Sequence, residues 1–217
     1  MTELKILNKD HPAVQYLCRK DKRLAKLVEM VGEIEYRTQP DCFARLVRSV
    51  INQMLSIKVA HVIGSRVEDL CGGIITPESL LKLDREQLRG AGLSYSKADN
   101  VLGIAKAASD GSLNFPNFPN MTDEEVMKEL TRLRGIGTWS AKMYLIFTLD
   151  RKDVLPYEDV AFLQTYAWLY KTDDLRPAAI IKRCKKWKPY SSIAARYFYY
   201  ALDMGLTKHE LHLFCHL

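Results

Sequence analysis

The chain has 217 residues, 47% of them hydrophobic, and a formal net charge of +6. That size supplies core enough for one domain or two closely joined lobes, and the basic balance favours a polyanionic partner. No apolar run reaches the ~18 residues of a membrane span, and the opening MTELKILNKD carries charges where a secretion signal is apolar, so an intracellular protein is expected. Residues 10–20 and 21–31 read as two short helices, the second with Leu24, Leu27, Val28 and Val31 on one face and Gly32 at its end. Pro40 opens a longer amphipathic helix whose apolar positions, Phe43, Leu46, Val47, Val50, Ile51 and Met54, keep the three-and-four helical spacing. Asn52-Gln53-Met54-Leu55-Ser56 breaks that pattern, and Ser56 caps the next helix, which runs through Leu70 and stops at Cys71-Gly72-Gly73. Thr76-Pro77 starts a short helix, and residues 84–89 form another before Gly90-Ala91-Gly92. Ser96 is the expected cap of a helix through Ala108. Residues 114–119, rich in Asn, Phe and Pro, read as an extended surface loop. Thr122 and Glu125 form a capping box for a helix leading to Leu133. From Trp139 to Leu149 the chain is apolar nearly all round, which is the pattern of a buried helix. Residues 150–157 are a connector, and further helices are expected over 158–170, 177–187, 190–202 and 207–214. No alternating strand stands out, so the expected fold is all-α, without linkers or repeats.

Five cysteines, Cys18, Cys42, Cys71, Cys184 and Cys215, are scattered and odd in number, which suits reduced thiols. No Cys-x-x-Cys pair is present, so no iron–sulfur cluster is expected. His209, His212, Cys215 and His216 are metal-ligand types near the end of the chain, but their order is not that of a zinc-binding His-Glu-x-x-His helix.

One stretch organises the rest: Leu133-Arg134-Gly135-Ile136-Gly137-Thr138-Trp139-Ser140-Ala141. A four-residue turn with two glycines joins two helical runs. Glycine permits positive φ and close backbone approach, and Ile136 can plug the turn from inside. The turn's backbone N–H groups, at the start of the second helix, then suit a phosphate. This resembles the hairpin of a helix-hairpin-helix DNA-binding motif, although the same residues also suit a plain turn between core helices. Asp159 sharpens the reading. The 150–157 connector spans at most ~26–29 Å and the preceding helix is roughly 16 Å long, so the chain can return beside the hairpin. A carboxylate at a helix start stays ionised there, and it is also a good N-cap.

With these residues in view, the chain resembles the helix-hairpin-helix DNA glycosylases, in particular the 3-methyladenine DNA glycosylase II family. The resemblance is carried by Phe43-Ala44-Arg45-Leu46-Val47, Asn52-Gln53-Met54-Leu55-Ser56, Gly92-Leu93-Ser94 with Lys97-Ala98, the hairpin, Asp153-Val154-Leu155-Pro156 to Asp159, and Trp187-Lys188-Pro189-Tyr190-Ser191-Ser192-Ile193-Ala194. It implies one glycosylase domain over 1–217, made of two helical lobes with a cleft for a flipped base and with the hairpin at about 122–149. It implies a monofunctional enzyme of base excision repair that hydrolyses the N-glycosidic bond of alkylated purines in duplex DNA. Alternatives are a glycosylase for another lesion, a glycosylase–lyase, and a non-catalytic DNA-binding module.

The resemblance makes Asp159 the catalytic aspartate. It would stabilise positive charge developing on the deoxyribose and help to orient or deprotonate water. Alkylated purines are cationic, and aromatic faces attract cations. Trp139 and Tyr190 are then the pocket walls, with Tyr157 beside them, although each ring also suits core packing. Trp139 stands where strand-cutting relatives carry a Schiff-base lysine. Met54 would wedge into the gap left by the flipped base; it also continues an apolar stripe. Gln53, Ser56, Lys97, Arg134, Gly135, Gly137, Thr138 and Lys142 are the remaining DNA-binding candidates. Backbone carbonyls of Thr131, Leu133 and Ile136 would hold a monovalent cation, Na+ or K+, with no other cofactor required. Duplex DNA with damaged bases is the implied partner. The protein would be a monomer, away from membranes, in a cytoplasm with its nucleoid or in a nucleus. Arg134 replaces a proline common in the family, Glu158 stands where an Asp often precedes the catalytic one, and an N-terminal β-rich domain of some relatives is not recognised here.

Overall fold

A computed structural model of the chain describes residues 2–38 and 41–210. It divides into two compact units: a terminal unit, Met1–Thr38 with Leu145–Leu217, and a hairpin unit, Gln39–Tyr144.

In the terminal unit, β1 (Leu4–Leu7), α1 (Pro12–Lys20), α2 (Lys22–Val31) and β2 (Ile34–Arg37) come from the N-terminal part. They are followed, much later in the chain, by α10 (Val160–Tyr170), α11 (Pro177–Cys184) and α12 (Ser191–Asp203). The two strands pair antiparallel, Leu4 opposite Arg37 and Leu7 opposite Ile34. They correct the expectation of no strand: four residues each are too few to display alternation, and the pairing partner lies far along the chain. α12 is the axis of this unit. Nine of its residues are buried, and it packs on α10, α2 and α1. Phe198 stacks on Phe162 at 4.9 Å and meets Trp187 edge-on at 5.4 Å. Each such large side chain contributes about 1.5–3 kcal/mol on burial.

Asp21 and Arg196 are buried charges built into this core. Asp21 caps α2 through the Arg23 and Leu24 amides. Its other oxygen accepts from the Tyr170 hydroxyl, the Trp187 indole at 3.0 Å and the Lys186 ammonium at 2.9 Å. Burial opposes ionisation, but these donors outweigh it and hold the Asp21 carboxyl below its ordinary range. Arg196 donates to Ile146 O at 2.7 Å and to Asp150 at 3.0 Å, and lies 3.9 Å over the Tyr36 ring.

The hairpin unit contains α3 (Cys42–Asn52), α4 (Ile57–Leu70), α5 (Pro77–Leu80), α6 (Arg85–Gly90), α7 (Tyr95–Ser109) and α8 (Asp123–Thr131). α9 (Thr138–Phe147) begins in it, and the boundary between the units falls inside that helix. The expected stripe of α3 is buried from Phe43 to Ile51, against α4 and α7. Met54 lies beyond the end of that helix. Ser56 caps α4 as expected, and Thr122 with Glu125 forms a capping box. The cap of α7 is Ser94 and not Ser96. Both serines suit a helix start, and local sequence alone does not choose between them. Residues 115–120 form a 3-10 helix and not an extended loop, because Phe115 and Phe118 turn into the core.

Of the helix expected over 207–214, residues 207 and 208 belong to a 3-10 turn, Leu206–Lys208, and residues 209 and 210 are not helical. Residues 211–217, with His212, Cys215 and His216, lie outside the described residues. No helix among the described residues is long and apolar enough to cross a membrane.

Candidate functional site

The hairpin is built from local rules. α8 ends at Thr131, and a tight turn follows in which the Ile136 N–H donates to Leu133 O at 3.1 Å. Gly135 has φ +85, and a Cβ there would collide with the side-chain amide of Asn100. Asn100 is buried, and its Oδ1 has no hydrogen-bond partner among the described residues. Gly137 differs. Its φ is not positive, and a Cβ would meet nothing within 4 Å. Only the first of the two glycines is therefore required by the chain itself. Ile136 is buried, as a plug would be, while Arg134, Gly135, Gly137 and Thr138 are exposed. Trp139, on the first turn of α9, is 45% exposed, and Lys142 is half-buried. Leaving so large an aromatic ring open to solvent gains nothing for folding.

Beside the hairpin in this unit stands the loop between α3 and α4. Met54 is fully exposed and adopts φ +57, a left-handed conformation unusual for a residue with a side chain. Gln53 turns its side-chain amide onto Gly135 O at 2.9 Å. The Lys97 ammonium donates to Ile51 O at 2.8 Å and Gln53 O at 2.6 Å. Partial burial lowers its pKa. Lys97 thus caps the end of α3, a use that helix ends make of lysines, instead of pointing freely outward.

In the terminal unit, Asp159 is the N-cap of α10. It is 8% exposed, and its Oδ1 accepts the Phe162 N–H at 2.8 Å. The Tyr199 hydroxyl, from α12, hydrogen-bonds the same carboxylate, and burial together with that negative charge pushes the Tyr199 pKa well up. The connector is fastened to the start of α12. Asp153 accepts from the Ser191 hydroxyl at 2.6 Å, and the Ser192 hydroxyl accepts the Val154 N–H at 2.9 Å. These bonds fix the chain just before Asp159. Tyr190 immediately precedes α12 and packs edge-on to Tyr16 at 5.4 Å, while Tyr16 donates to Lys188 O at 2.7 Å. Tyr157 is half-buried against the same core.

Tyr199 and Tyr16 were not singled out by the sequence. Tyr199 follows a run of core residues on α12, and Tyr16 precedes Tyr190 by most of the chain, so neither carries a local signal.

A Gly-x-Gly turn joining α8 and α9 is the pattern of a helix-hairpin-helix motif, and a buried aspartate caps the next helix along the chain. The family model of the HhH-GPD superfamily base excision DNA repair proteins matches residues 47–189. DNA-3-methyladenine glycosylase 1 of Schizosaccharomyces pombe is 30% identical over 182 residues, 82% of this chain and 80% of that protein. The crystal structure of a DNA-3-methyladenine glycosidase from Bacillus halodurans superposes with a TM-score of 0.86 at 34% identity, over 94% of this chain and 95% of that one. The S. pombe 3-methyladenine DNA glycosylase Mag1, in complex with abasic DNA, superposes with a TM-score of 0.76 at 29% identity, over 88% of this chain and 96% of that one. Of two longer bacterial relatives the chain spans 57% and 58%. The chain belongs to the HhH-GPD superfamily of base excision DNA repair proteins.

Proposed function

We propose that the protein is a monofunctional DNA glycosylase acting on alkylated purines of the 3-methyladenine and 7-methylguanine type in duplex DNA. The observation that carries this reading is Asp159: a buried carboxylate held by two donors, the Phe162 amide and the Tyr199 hydroxyl, in a chain of this family. A charge held in place costs little reorganisation when positive charge develops on the sugar, which is the condition for electrostatic catalysis. As the C1′–N bond breaks, its electron pair leaves with the base, which for an N3- or N7-alkylated purine departs neutral. Water then adds to the sugar and loses a proton, and Asp159 is the group proposed to orient it. No acid is needed for such a leaving group.

Tyr190 and Tyr157, in the unit that holds Asp159, are aromatic faces proposed to receive the cationic base, at ~0.5–2 kcal/mol each, and Trp139 is a further aromatic proposed for base contact from the hairpin unit. Met54 is the proposed wedge, and the amides of Gly135 and Gly137 the proposed phosphate ligands. The Thr131, Leu133 and Ile136 carbonyls fit a monovalent cation. They are uncharged oxygens: Thr131 O ends α8, where helix carbonyls lack amide partners, while Leu133 O, which keeps one lone pair beyond its bond to Ile136, and Ile136 O belong to the hairpin turn. The ion would add positive charge next to a phosphate. Damaged duplex DNA is the inferred partner of a monomer working in a nucleoid or nucleus.

Duplexes with single defined lesions test the reading. Release of 3-methyladenine or 7-methylguanine should leave an intact strand with an abasic site, and borohydride should trap no covalent adduct. A trapped adduct would replace hydrolysis by lyase chemistry, and no release from any alkylated duplex would remove the assignment.

A further inference from the structure

Lys97 sits on the first turns of α7, and its ammonium group holds two carbonyls at the end of α3, Ile51 O at 2.8 Å and Gln53 O at 2.6 Å. Carbonyls at a helix end have no amide of their own helix to accept from. The Gln53 carbonyl belongs to the peptide unit that joins Gln53 to Met54, so holding it restricts the φ of Met54. The Gln53 side chain points the other way: its Nε2 donates to Gly135 O at 2.9 Å and reaches Ser140 Oγ at 3.4 Å. One residue therefore touches three things: the α7 lysine through its carbonyl, the hairpin through its amide, and Met54 through the chain.

Met54 is fully exposed at φ +57. A left-handed conformation is unfavourable for a residue with a Cβ and persists only where the surroundings hold it. Here the Lys97–Gln53 contacts hold it from one side. On the other side are the Leu55 N–H on Asn52 O at 3.2 Å and the Ser56 cap of α4 at 3.4 Å. Folding gains nothing from an apolar side chain held out in solvent on a strained backbone, so the restraint points to a use outside the chain.

We propose that Lys97, acting through Gln53, is a positioning residue that joins the Met54 loop and the hairpin into one unit, so that capture of a phosphate at the hairpin and insertion of Met54 into the base stack occur together. The proposal rests on the glycosylase reading above. It gives Lys97 a role other than phosphate contact: its donors already face two carbonyls, and its charge compensates the negative end of α3.

The experiment compares duplex with single-stranded substrate, because a wedge is needed only where a base must leave a stack. Single-turnover release of 7-methylguanine is measured on both, and 2-aminopurine fluorescence beside the lesion reads unstacking independently of chemistry. Lys97→Met should lower the duplex-to-single-strand rate ratio roughly ten-fold, the size expected for losing bonds from a charged donor, and should blunt the fluorescence rise. Gln53→Ala should do the same, which keeps the test open if one variant folds poorly. Lys97→Arg should restore most of the ratio. Lys106→Met, an exposed lysine on the same helix, should leave it unchanged. In a Met54→Ala background the Lys97→Met effect should largely vanish, since the two act in series. Equal loss on both substrates, an unchanged ratio, or full additivity with Met54→Ala would overturn the relay. A wild-type protein that releases no base would remove the glycosylase reading instead, and the fluorescence comparison would still judge the relay.

Discussion

Among the described residues the buried charges all lie in the terminal unit, while both units expose apolar side chains, Val160 in the terminal unit among them. In the hairpin unit, what faces solvent is what folding alone would hide: Met54 and Ile57 almost wholly, and Trp139 at 45%. In the terminal unit, what is buried is what folding alone would expose: Asp159, Asp21 and Arg196. The first pattern suits gripping a partner, because exposed apolar groups and backbone amides act only when another molecule covers them. The second suits chemistry and its scaffold, because a buried charge persists only when several donors hold it in one position. On the proposed function, the exposed groups of the hairpin unit serve recognition and the buried Asp159 of the terminal unit serves reaction. That division says where a mutation should alter binding, where rate, and where stability.

The largest effect should come from the buried carboxylate. Asp159→Asn keeps an excellent N-cap for α10, so its melting temperature should stay near that of the wild type. Its rate of base release should fall ~10²–10³-fold, the usual cost of removing one electrostatic partner of a transition state. Affinity for the damaged duplex should change much less, since the charge on the sugar develops only on the way to the transition state. Glu158→Gln, next door, should change neither rate nor affinity by more than a few-fold. Single-turnover kinetics with melting curves on the same samples check this. A wild-type rate in Asp159→Asn would reduce Asp159 to a cap and dissolve the contrast between the units.

A second test asks whether the buried charges of the terminal unit act as scaffold alone. The folded Asp21 carboxyl titrates below its unfolded value of about 3.9. The sign follows: the stabilisation is complete above about pH 4 and is lost as pH falls through the lower folded value. Asp21→Asn should cost about 2–3 kcal/mol at pH 7, since it removes the charged partner of Tyr170, Trp187 and Lys186. The gap to wild type should narrow below pH 4. Denaturant melts at pH 7 and pH 3 measure both values, and a gap independent of pH would assign the cost to packing. Excision by the folded variant should remain near normal.

How much of this was legible in the sequence depended on range. The hairpin, the Thr122–Glu125 box and the Ser56 cap are set by residues within four positions of each other, and they were read directly. Asp159 at a helix start was legible for the same reason. The β1–β2 pair, the Phe115–Asn120 turn, Tyr199 beneath Asp159 and the Asp153–Ser191 fastening depend on partners dozens of residues away, and no periodicity records such a meeting. Lys97 is the instructive case. A lysine in a basic, DNA-binding chain suggests a phosphate contact, but the end of α3 offers it two carbonyls first. Gln53, expected as a DNA contact, has its side-chain amide on Gly135 O in the structure. In both, the intramolecular partner of the side chain lies far along the chain and leaves no local signal in the sequence.

The smallest effect offers the finest separation, because it lies within one turn. Gly135 and Gly137 are equivalent in the sequence pattern and different in the structure. Gly135→Ala puts a Cβ on a positive φ and into Asn100. It should cost about 1–2 kcal/mol in stability from the backbone alone, with DNA affinity falling because the turn itself shifts. Gly137→Ala meets no atom of the described residues within 4 Å and no forbidden φ, so its stability should lie within about 0.5 kcal/mol of wild type. Whatever it does to affinity must come from a group outside the chain. If a phosphate approaches the Gly137 amide closely, the methyl group should weaken binding a few-fold on every sequence alike, since backbone contacts carry no base information. Because the methyl removes no charge, the slope of log affinity against log salt should stay close to that of wild type, while Lys142→Ala, if that lysine neutralises a phosphate, should lower the slope by about one. Titrations of undamaged duplexes of differing sequence, at several salt concentrations, read both quantities. Wild-type affinity in Gly137→Ala would mean that DNA keeps its distance from this amide, and the exposed half of the hairpin would then need another explanation.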